Sequence, residues 1–532
     1  MSKPTFDPIN KIWNGPKVPP VFNPDQNIGY IILNILQQTP DLVTQISADT
    51  GVSVTCQQMY DRSIKIAKYL TQCGMKEGDL IGFVTANTEN LAPIVFACFT
   101  LGLPINPLSP IMNVKDIVQM FSMTKPKMIF CDAENVKVVQ NAVDEIKSEA
   151  KILTVMDKVD GYECTTEILK DMEGQRTDFF QFPTIDSNSI AAILCSSGST
   201  GFPKGVCKSH RQILSDIGLF PSRGELSICF QGSPIFWLSG FSILISGTFS
   251  KYIRVVTSKP FTAQDFVNII NKYRVTVVTI PPYFLVSLLQ IDNLKPLESI
   301  KFFTIGGAII SEQLCEKFKP FIPNGFYFMG YGCTEEDGLA VNITQKKMGG
   351  AGMVSNNVQL KIVDTNGSSL GPNESGEIYS KIPVHFSGYF GDPEKTAEAF
   401  DGDWFKTGDI GYFDDDQFLF VTGRTKELLK YNNFQVTPSE IEEIINEIQG
   451  VQSSCVVGVP QSHSGNDIIH AYVILEESKS LSEEFILKYV DNKVIDPKKI
   501  RGGVHIVQEF PLGATGKVDR KKIKEMAQNL VK

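Results

Sequence analysis

The sequence predicts an α/β protein with more than one domain. Apolar, strand-like runs alternate with segments of helical periodicity, a pattern typical of mostly parallel sheets covered by helices. From about residue 348 to residue 420, short alternating strands separated by turn-forming residues indicate a small antiparallel barrel or sheet. Roughly the last hundred residues hold a helix and two strands of their own, which predicts a separate α+β core.

Two helices in the first part of the chain are marked by their ends. The segment 58–73 has apolar residues at helical spacing and stops at Gly74, which suits the position after a helix. A second helix is expected over residues 262–273, opening with Thr262 and Asp265. Buried strands are predicted at residues 80–84, 190–194, 275–280, 302–305 and 326–329.

The C-terminal core opens with a helix that has a clear start signal. Thr437 is the expected N-cap, Pro438 occupies the first helical position, and Glu440 is expected to close a capping box. The helix should end at Gly450. Strands are then predicted at residues 454–459 and 470–475.

Length, charge and cysteine content bound the class of protein. The chain has 532 residues, too many for one core, so roughly two to four domains are expected. Its formal net charge of −9 argues against a nucleic acid partner. Its 11 cysteines form no Cys-x-x-Cys pair, which indicates reduced thiols. We find no apolar run of about 18 residues and expect no membrane span.

The ends of the chain give an expectation about location. The first residues lack the apolar core of a signal peptide, and the last three are not the Ser-Lys-Leu peroxisomal signal. We therefore expect a cytoplasmic protein. The sequence leaves its oligomeric state open.

The loop after the predicted strand 190–194 has the composition of a phosphate-binding segment. Its glycines let backbone N–H groups approach a ligand, its hydroxyls can donate hydrogen bonds, and Lys204 adds a positive charge. The spacing differs from a Walker A loop, and a flexible Ser/Gly surface loop is the alternative. The candidate phosphate ligands are Ser196, Ser197, Gly198, Ser199, Thr200, Gly201 and Lys204.

A second segment, residues 330–336, combines three kinds of nucleotide contact. Tyr331 offers an aromatic face for a purine, and Thr334 can donate a hydrogen bond to a phosphate. Glu335 supplies a hard oxygen ligand of the kind that Mg²⁺ prefers. An ordinary turn with a surface glutamate is the alternative. Gly306 and Gly307, at the end of another strand, would let a flat ligand approach the backbone.

Two further segments carry charged candidates. The carboxylate of Asp409 suits the vicinal hydroxyls of a ribose, and Arg424 follows in a Gly-Arg-Thr-Lys segment. Near the C-terminus, Lys517 lies in a glycine-containing loop, where a lysine can stabilise the charge of a reacting phosphate. The neighbouring Arg520, Lys521 and Lys522 are expected to be solvated surface charges.

These motifs, in this order along the chain, resemble the signature motifs of the adenylate-forming superfamily, which includes acyl-CoA synthetases, 4-coumarate–CoA ligases and insect luciferases. The resemblance implies an N-terminal domain over residues 1–423, with two αβ-layered sheets and a small β-barrel-like subdomain. A small mobile α+β domain over residues 424–532 would follow.

The resemblance also implies roles for individual residues. Lys517, Lys430 and Thr334 would be catalytic, Glu335 would hold the metal ion, and Lys426 would be the hinge. Further ATP-binding positions would be Gly307, Ala308, Tyr331, Gly332, Thr334, Asp409, Arg424 and Lys517. The acyl pocket would be lined by Trp237, Phe241, Gly306 and Gly307.

Two segments depart from the family pattern. Trp237 stands where the family commonly has a histidine beside the reacting carboxylate, so we expect either a filled core position or an altered acyl pocket. Asn432 and Asn433 replace a lysine and a glycine in the turn after Lys430, a turn that approaches CoA in CoA ligases. Asparagine can keep the turn, although a positive charge is lost.

The implied reaction begins with ATP, Mg²⁺ and a small-molecule carboxylic acid, which together give an acyl-AMP and pyrophosphate. The acyl group would then pass to CoA, as in a luciferase-like acyl-CoA synthetase. The alternative is a luciferase-type monooxygenase that oxidises its adenylate with O₂ and emits light. A second alternative is an inactive nucleotide-binding relative, which the retention of Lys517, Glu335, Asp409 and Arg424 argues against.

Overall fold

The computed structural model describes residues 3–177, 180–196, 204–216, 227–307, 312–343, 347, 349–431, 434–461, 466–476, 479–513 and 517–530. It divides into two compact units. The first comprises Met1–Asp7, Trp13–Leu360 and Ser380–Phe405, and the second comprises Pro8–Ile12, Lys361–Tyr379 and Lys406–Lys532. The domain boundary between residues 423 and 424 stays a prediction.

A seven-stranded sheet in the first unit is built around parallel strands. Its members are β5 (Ile81–Val84), β6 (Ile105–Leu108), β7 (Met128–Cys131), β8 (Lys151–Thr154), β9 (Glu163–Cys164), β10 (Ile190–Ser196) and β11 (Lys204–Ser209). The order across the sheet is β11-β10-β6-β5-β7-β8-β9, and only β10 and β11 pair antiparallel. Strands β5, β6 and β7 are buried along their whole length, as expected for strands covered on both faces.

A nine-stranded sheet forms the other large layer of this unit. Its members are β3 (Val43–Ser47), β4 (Ser53–Thr55), β12 (Ile228–Gln231), β13 (Ile253–Val256), β14 (Val277–Ile280), β15 (Phe302–Gly306), β16 (Phe326–Cys333), β17 (Asp337–Asn342) and β18 (Met353–Val354). The order is β18-β17-β16-β15-β14-β12-β13-β3-β4. The six strands from β16 to β3 are parallel, and the outer strands are antiparallel.

Helices cover both sheets. They are α1 (Ile28–Gln38), α2 (Cys56–Gln72), α3 (Leu91–Thr100), α4 (Val114–Thr124), α5 (Val136–Glu145), α6 (Thr165–Asp171), α7 (His210–Asp216), α8 (Leu238–Phe249), α9 (Ala263–Tyr273), α10 (Pro282–Leu289) and α11 (Glu312–Phe318). A further helix, α12 (Pro393–Glu398), contacts the short strand Phe400–Asp401 instead. All ten residues of α3 are buried, and eight of them join a large apolar core. The predicted helix at 262–273 is confirmed, with a capping box between Thr262 and Asp265.

The strands predicted to form a small barrel are arranged differently. They are β19 (Gln359–Val363), β20 (Gly376–Lys381), β22 (Trp404–Phe413) and β23 (Leu419–Arg424), and the short strands β1 (Thr5–Asp7), β2 (Ile12–Asn14) and β21 (Phe400–Asp401) add to them. In the part of the chain that the structure describes, the strand order is β1-β2-β19-β20-β22-β21, with β23 also paired to β22, and the first and last strands do not pair with each other. The predicted barrel is therefore an open sheet. Strands β22 and β23 consist of buried and half-buried residues, and Arg424 at the end of β23 is exposed.

The second unit ends in the predicted α+β core. It contains β24 (Leu429–Tyr431), β25 (Phe434–Val436), β26 (Val451–Pro460), β27 (Asp467–Leu475), β28 (Val504–Ile506), α13 (Pro438–Asn446), α14 (Glu483–Asp491) and α15 (Arg520–Leu530). Strands β26, β27 and β28 form a three-stranded sheet, and α13 and α14 share an apolar core with it. Its central residues, such as Ile441 and Ile445, are fully buried.

One detail of this core corrects the sequence analysis. Thr437 is the N-cap of α13 and Pro438 follows it, as predicted, but Thr437 makes no capping hydrogen bond through its side chain. The capping box is therefore wrong. Glu440 forms an ion pair with Lys498 instead, which draws its carboxylate away from the helix start.

The helices that the structure describes include none that is both long and apolar enough to cross a bilayer.

Candidate active site

Strands β10 and β11 bring the two ends of the predicted phosphate loop together. Ser196, the last residue of β10, is the register partner of Lys204, the first residue of β11. The loop therefore begins and ends at one point on the edge of the seven-stranded sheet. The predicted ligands between these ends lie outside the described residues, namely Ser197, Gly198, Ser199, Thr200 and Gly201.

Tyr389 connects this loop to the predicted metal ligand. The Nζ atom of Lys204 lies 4.0 Å from the centre of the Tyr389 ring, a cation–π contact. The Tyr389 hydroxyl donates a hydrogen bond of 2.8 Å to Oε1 of Glu335. Burial, and then the charge of Glu335, raise the pKa of Tyr389, so the phenol keeps its proton and acts as the donor. We call Lys204, Glu335 and Tyr389 the first cluster.

A tight hairpin presents Thr334 and Glu335. Both residues lie in the turn between β16 and β17, and Asp337 closes the turn with a positive φ of 55°. A Cβ at Gly332 would lie 1.8 Å from the carbonyl oxygen of Asp337. Only glycine therefore allows the two arms of the hairpin to approach this closely.

Polar side chains hold this turn at three consecutive residues. The Nε2 group of Gln212 donates to the backbone oxygen of Glu335 at 2.9 Å. Nδ1 of His385 lies 2.9 and 3.0 Å from the two carboxylate oxygens of Glu336. The carboxylate of Asp337 pairs at 3.0 Å with Lys208, whose side chain is fully buried.

His385 and Glu336 affect each other's pKa. Burial alone would lower the pKa of His385, but the hydrogen bond and the charge of Glu336 outweigh it and raise that pKa. Burial also raises the pKa of Glu336, which His385 and the charge of Lys208 partly offset. The sequence analysis missed Lys208, Gln212 and His385. Nothing in the local sequence marked these three residues, because their partners are 49 to 129 positions away.

The predicted glycine pair lies next to this hairpin. Gly306 ends β15 and is the register partner of Gly330 on β16, one residue before Tyr331. A Cβ at Gly307, where φ is +88°, would meet no described atom within 4 Å. A Cβ at Gly306 would lie 3.7 Å from the Gly330 carbonyl oxygen, an ordinary contact, so the atoms that the structure describes crowd neither glycine. Ala308 lies outside the described residues.

The two aromatic residues assigned to the acyl pocket differ in environment. Trp237 occupies the N-cap position of α8 and is partly exposed, with its ring centre 5.0 Å from that of Phe236. Phe241 is buried and packs edge-on against Phe99 in the core. Their role in binding an acyl group stays a prediction.

Three charged candidates are close together in the second unit. Asp409 and Arg424 are register partners on β22 and β23, and Nε of Arg424 lies 3.1 Å from Oδ1 of Asp409. Lys517 lies close enough for both charges to affect its pKa. Loss of solvent around its ammonium group and the charge of Arg424 lower the pKa of Lys517, and Asp409 opposes this shift. We call Asp409, Arg424 and Lys517 the second cluster.

The loop that carries Lys517 is closed at its base. The Gly513 N–H group donates to the backbone oxygen of Lys517 at 2.8 Å, and Leu512 pairs with Val518. Lys426, the predicted hinge, lies in a short 3₁₀ helix between β23 and β24. The side chain of Lys430 and residues 432–433 lie outside the described part of the chain.

Arg520 is not the solvated surface charge that the sequence analysis expects. Its guanidinium contacts both carboxylate oxygens of Glu442, at 2.7 and 2.8 Å. It also donates to the backbone oxygen of Val456 at 2.9 Å. Arg520 thus attaches the start of α15 to α13 and β26, a structural role.

Comparison with known proteins identifies the family. A model described as "AMP-binding enzyme" matches residues 34–390, and "AMP-binding enzyme C-terminal domain" matches residues 440–517. The chain therefore belongs to the AMP-binding enzyme family, and the predicted resemblance is confirmed.

Curated relatives of the chain carry two kinds of activity. A luciferin 4-monooxygenase of Nipponoluciola cruciata is 30% identical over 91% of this chain and 91% of its own length. A 4-coumarate–CoA ligase-like protein of Arabidopsis thaliana is 28% identical over 86% of this chain and 83% of its own. The protein is thus an enzyme of a family that includes CoA ligases and luciferases.

Solved structures agree on the fold. ATP-bound MatB from Rhodopseudomonas palustris aligns with a TM-score of 0.85 over 96% of this chain and 100% of its own, at 23% identity. A luciferase-like enzyme from the nonluminescent mealworm Zophobas morio aligns with a TM-score of 0.73 over 78% of this chain and 99% of its own, at 27% identity. The predicted fold class is confirmed, apart from the barrel.

Proposed function

We propose that the protein activates a small-molecule carboxylic acid with ATP, giving an acyl-AMP and pyrophosphate, and then transfers the acyl group to CoA. The observation that carries the proposal is the first cluster. There a lysine from the phosphate loop and a half-buried carboxylate share one tyrosine, at 4.0 and 2.8 Å. A cation and a metal-binding carboxylate held side by side are what a metal-bound polyphosphate requires.

The residues of the first cluster fit a magnesium ion. Mg²⁺ is usually held by one or two protein carboxylates together with phosphate oxygens and water, and Glu335 offers a hard oxygen on a fixed turn. Glu335 would hold the ion, with Thr334 beside it on the phosphate side. When bound, the ion would neutralise charge on the phosphates. Lys204 and the loop from Ser196 to Gly201 would hold the same phosphates.

The second cluster supplies the remaining groups of the first stage. Asp409 would accept hydrogen bonds from the ribose hydroxyls, with Arg424 beside it. Lys517 would stabilise the charge that develops as the acid oxygen attacks the α-phosphate and pyrophosphate leaves. In the first unit, the adenine would be bordered by Tyr331, Gly332, Gly307 and Ala308.

For the second stage we propose a rotation about Lys426 that withdraws Lys517 and brings the segment near Lys430 to the adenylate. CoA as acceptor is supported by relatives named as CoA ligases. Oxidation by O₂ is the rival outcome, supported by relatives named luciferin 4-monooxygenase. Trp237 and Phe241 would shape the acyl pocket in either case.

One experiment separates these outcomes. The enzyme is incubated with MgATP and a panel of fatty, aromatic and heteroaromatic acids, with and without CoA, and AMP, thioester and photons are measured. We expect AMP with at least one acid, and thioester when CoA is present. Light emission without thioester formation would indicate that the adenylate reacts with O₂ and not with CoA. No AMP with any acid would contradict the proposal and favour an inactive relative.

A further inference from the structure

The segment around Tyr389 is attached to the strand that carries Lys204. The Ser387 N–H group donates to the backbone oxygen of Cys207 at 2.8 Å, and the Phe390 N–H group donates to that of Gly205 at 2.8 Å. Tyr389 is itself buried and pairs with Val206 across this edge of the sheet. Its backbone is therefore fixed relative to the end of the phosphate loop.

The turn that carries Glu335 is fixed independently. Gln212 binds the backbone oxygen of Glu335, and the His385–Glu336 pair holds the next residue. With the backbone held, the direction of the Glu335 carboxylate depends on rotation about its side-chain bonds. The hydroxyl of Tyr389, at 2.8 Å from Oε1, restricts this rotation.

We propose that Tyr389 is a positioning residue for the metal and the nucleotide. Its hydroxyl directs the Glu335 carboxylate towards the magnesium ion, and its ring places the Lys204 ammonium group beside the phosphates. The inference rests on the proposed function, because it assigns Tyr389 to the site where MgATP binds. Tyr389 would act through Glu335 and Lys204, without touching the substrate itself.

The two parts of the side chain can be separated by mutation. Tyr389→Phe removes only the hydroxyl and keeps the ring, its edge contact with Phe386 and the cation–π contact with Lys204. Tyr389→Leu removes both the hydroxyl and the ring. If Tyr389 had only a structural role, both variants would be less stable. Neither variant would then change metal affinity independently of nucleotide affinity.

The test uses Mn²⁺ as a paramagnetic probe for the magnesium site of the full-length enzyme. Mn²⁺ affinity is measured by electron paramagnetic resonance in the presence of α,β-methylene-ATP, and metal-free nucleotide affinity is measured by calorimetry in EDTA. For Tyr389→Phe we expect Mn²⁺ to bind about tenfold more weakly, because a hydrogen bond to a charged group is lost. Its metal-free nucleotide affinity should stay within about twofold.

Two further variants complete the comparison. Tyr389→Leu should also lose about fivefold in metal-free nucleotide affinity, because the support of Lys204 is gone. Tyr162→Phe is the matched control, since its hydroxyl lies 3.0 Å from the side chain of Gln140, outside both clusters. It should bind Mn²⁺ like the wild type.

The outcomes distinguish this inference from the proposed function. Absence of Mn²⁺ and nucleotide binding by the wild type would contradict the proposed function itself. If the wild type binds both and Tyr389→Phe, folded by its thermal midpoint, binds Mn²⁺ equally well, the positioning role of Tyr389 is wrong. Tyr389→Phe is isosteric apart from one oxygen, so this arm decides the question even if Tyr389→Leu does not fold.

Discussion

Arg254 is a fully buried arginine in the nine-stranded sheet. Its Nη1 group donates to Oε1 of Gln231 at 3.2 Å, and within the described chain Nε and Nη2 have no hydrogen-bond partner. Burial lowers the pKa of Arg254 to about 10, which still leaves it charged at neutral pH. A buried charge without an acidic partner destabilises a fold.

We therefore expect Arg254→Met to stabilise the protein. A methionine of similar length removes the desolvation penalty, so the free energy of unfolding should rise by about 1–4 kcal/mol in denaturant titrations. Arg211→Met is the control, because Arg211 is a partly exposed residue paired with Asp25, and it should change stability by less than about 1 kcal/mol. Clear destabilisation by Arg254→Met would contradict this prediction and show that the hydrogen bond to Gln231 outweighs the desolvation penalty.

His210 gives a second residue-scale prediction, on pH. It is fully buried, its Nδ1 accepts the Ile28 N–H group at 3.4 Å, and burial lowers the pKa of its imidazole from 6.5 to about 4. Between these values the unfolded chain binds a proton that the folded chain does not. Stability should therefore fall as pH drops from about 6.5 to about 4, by up to about 3 kcal/mol.

Denaturant titrations from pH 7 to pH 4.5 test this prediction. His210→Asn keeps an acceptor for the Ile28 N–H group but has no titrating ring, so its pH dependence should be flatter than that of the wild type. Parallel pH profiles for the two proteins would assign the acid sensitivity to other groups.

At the scale of elements, the β16–β17 hairpin depends on one glycine. A side chain at Gly332 would collide with the Asp337 carbonyl, whereas a Cβ at Gly330, two residues earlier, would meet no described atom within 4 Å. We expect Gly332→Ala to lower the free energy of unfolding by about 1–3 kcal/mol and Gly330→Ala to change it far less. Equal effects of the two variants would contradict the steric argument.

The elements that the sequence analysis named could be predicted because their signals are local. The helix at 262–273 and the buried strand at 190–194 depend on periodicity and on capping residues within a few positions. Helix α1, over Ile28–Gln38, was missed, since the surrounding segment is rich in proline and asparagine. The capping box at Thr437 was wrong because a distant lysine, Lys498, competes for Glu440.

The residues of the candidate site also divide into those that have a local sequence signal and those that do not. Lys204, Glu335 and Asp409 could be named from motifs, because each lies in a short segment of unusual composition. Tyr389 and His385 could not be assigned their contacts, because these are formed with residues 49 or more positions away. Which side chains hold a motif in place is decided by tertiary packing, which no local pattern contains.

At the scale of the whole molecule, each of the two units carries one of the two clusters defined above. In the first unit Lys204 and Glu335 share Tyr389, and in the second unit Lys517 lies near Arg424 and Asp409. We propose that both groups serve one reaction, because the family joins the two kinds of domain in a single chain.

Exchange of labelled pyrophosphate into ATP, dependent on a carboxylic acid, tests the central claim most directly. The wild type should catalyse exchange with Mg²⁺ and at least one acid of the panel. Lys517→Ala should slow it by about 10²–10³-fold while nucleotide binding stays within about twofold of the wild type. Exchange that no acid elicits, or that Lys517→Ala leaves at full rate, would contradict the account.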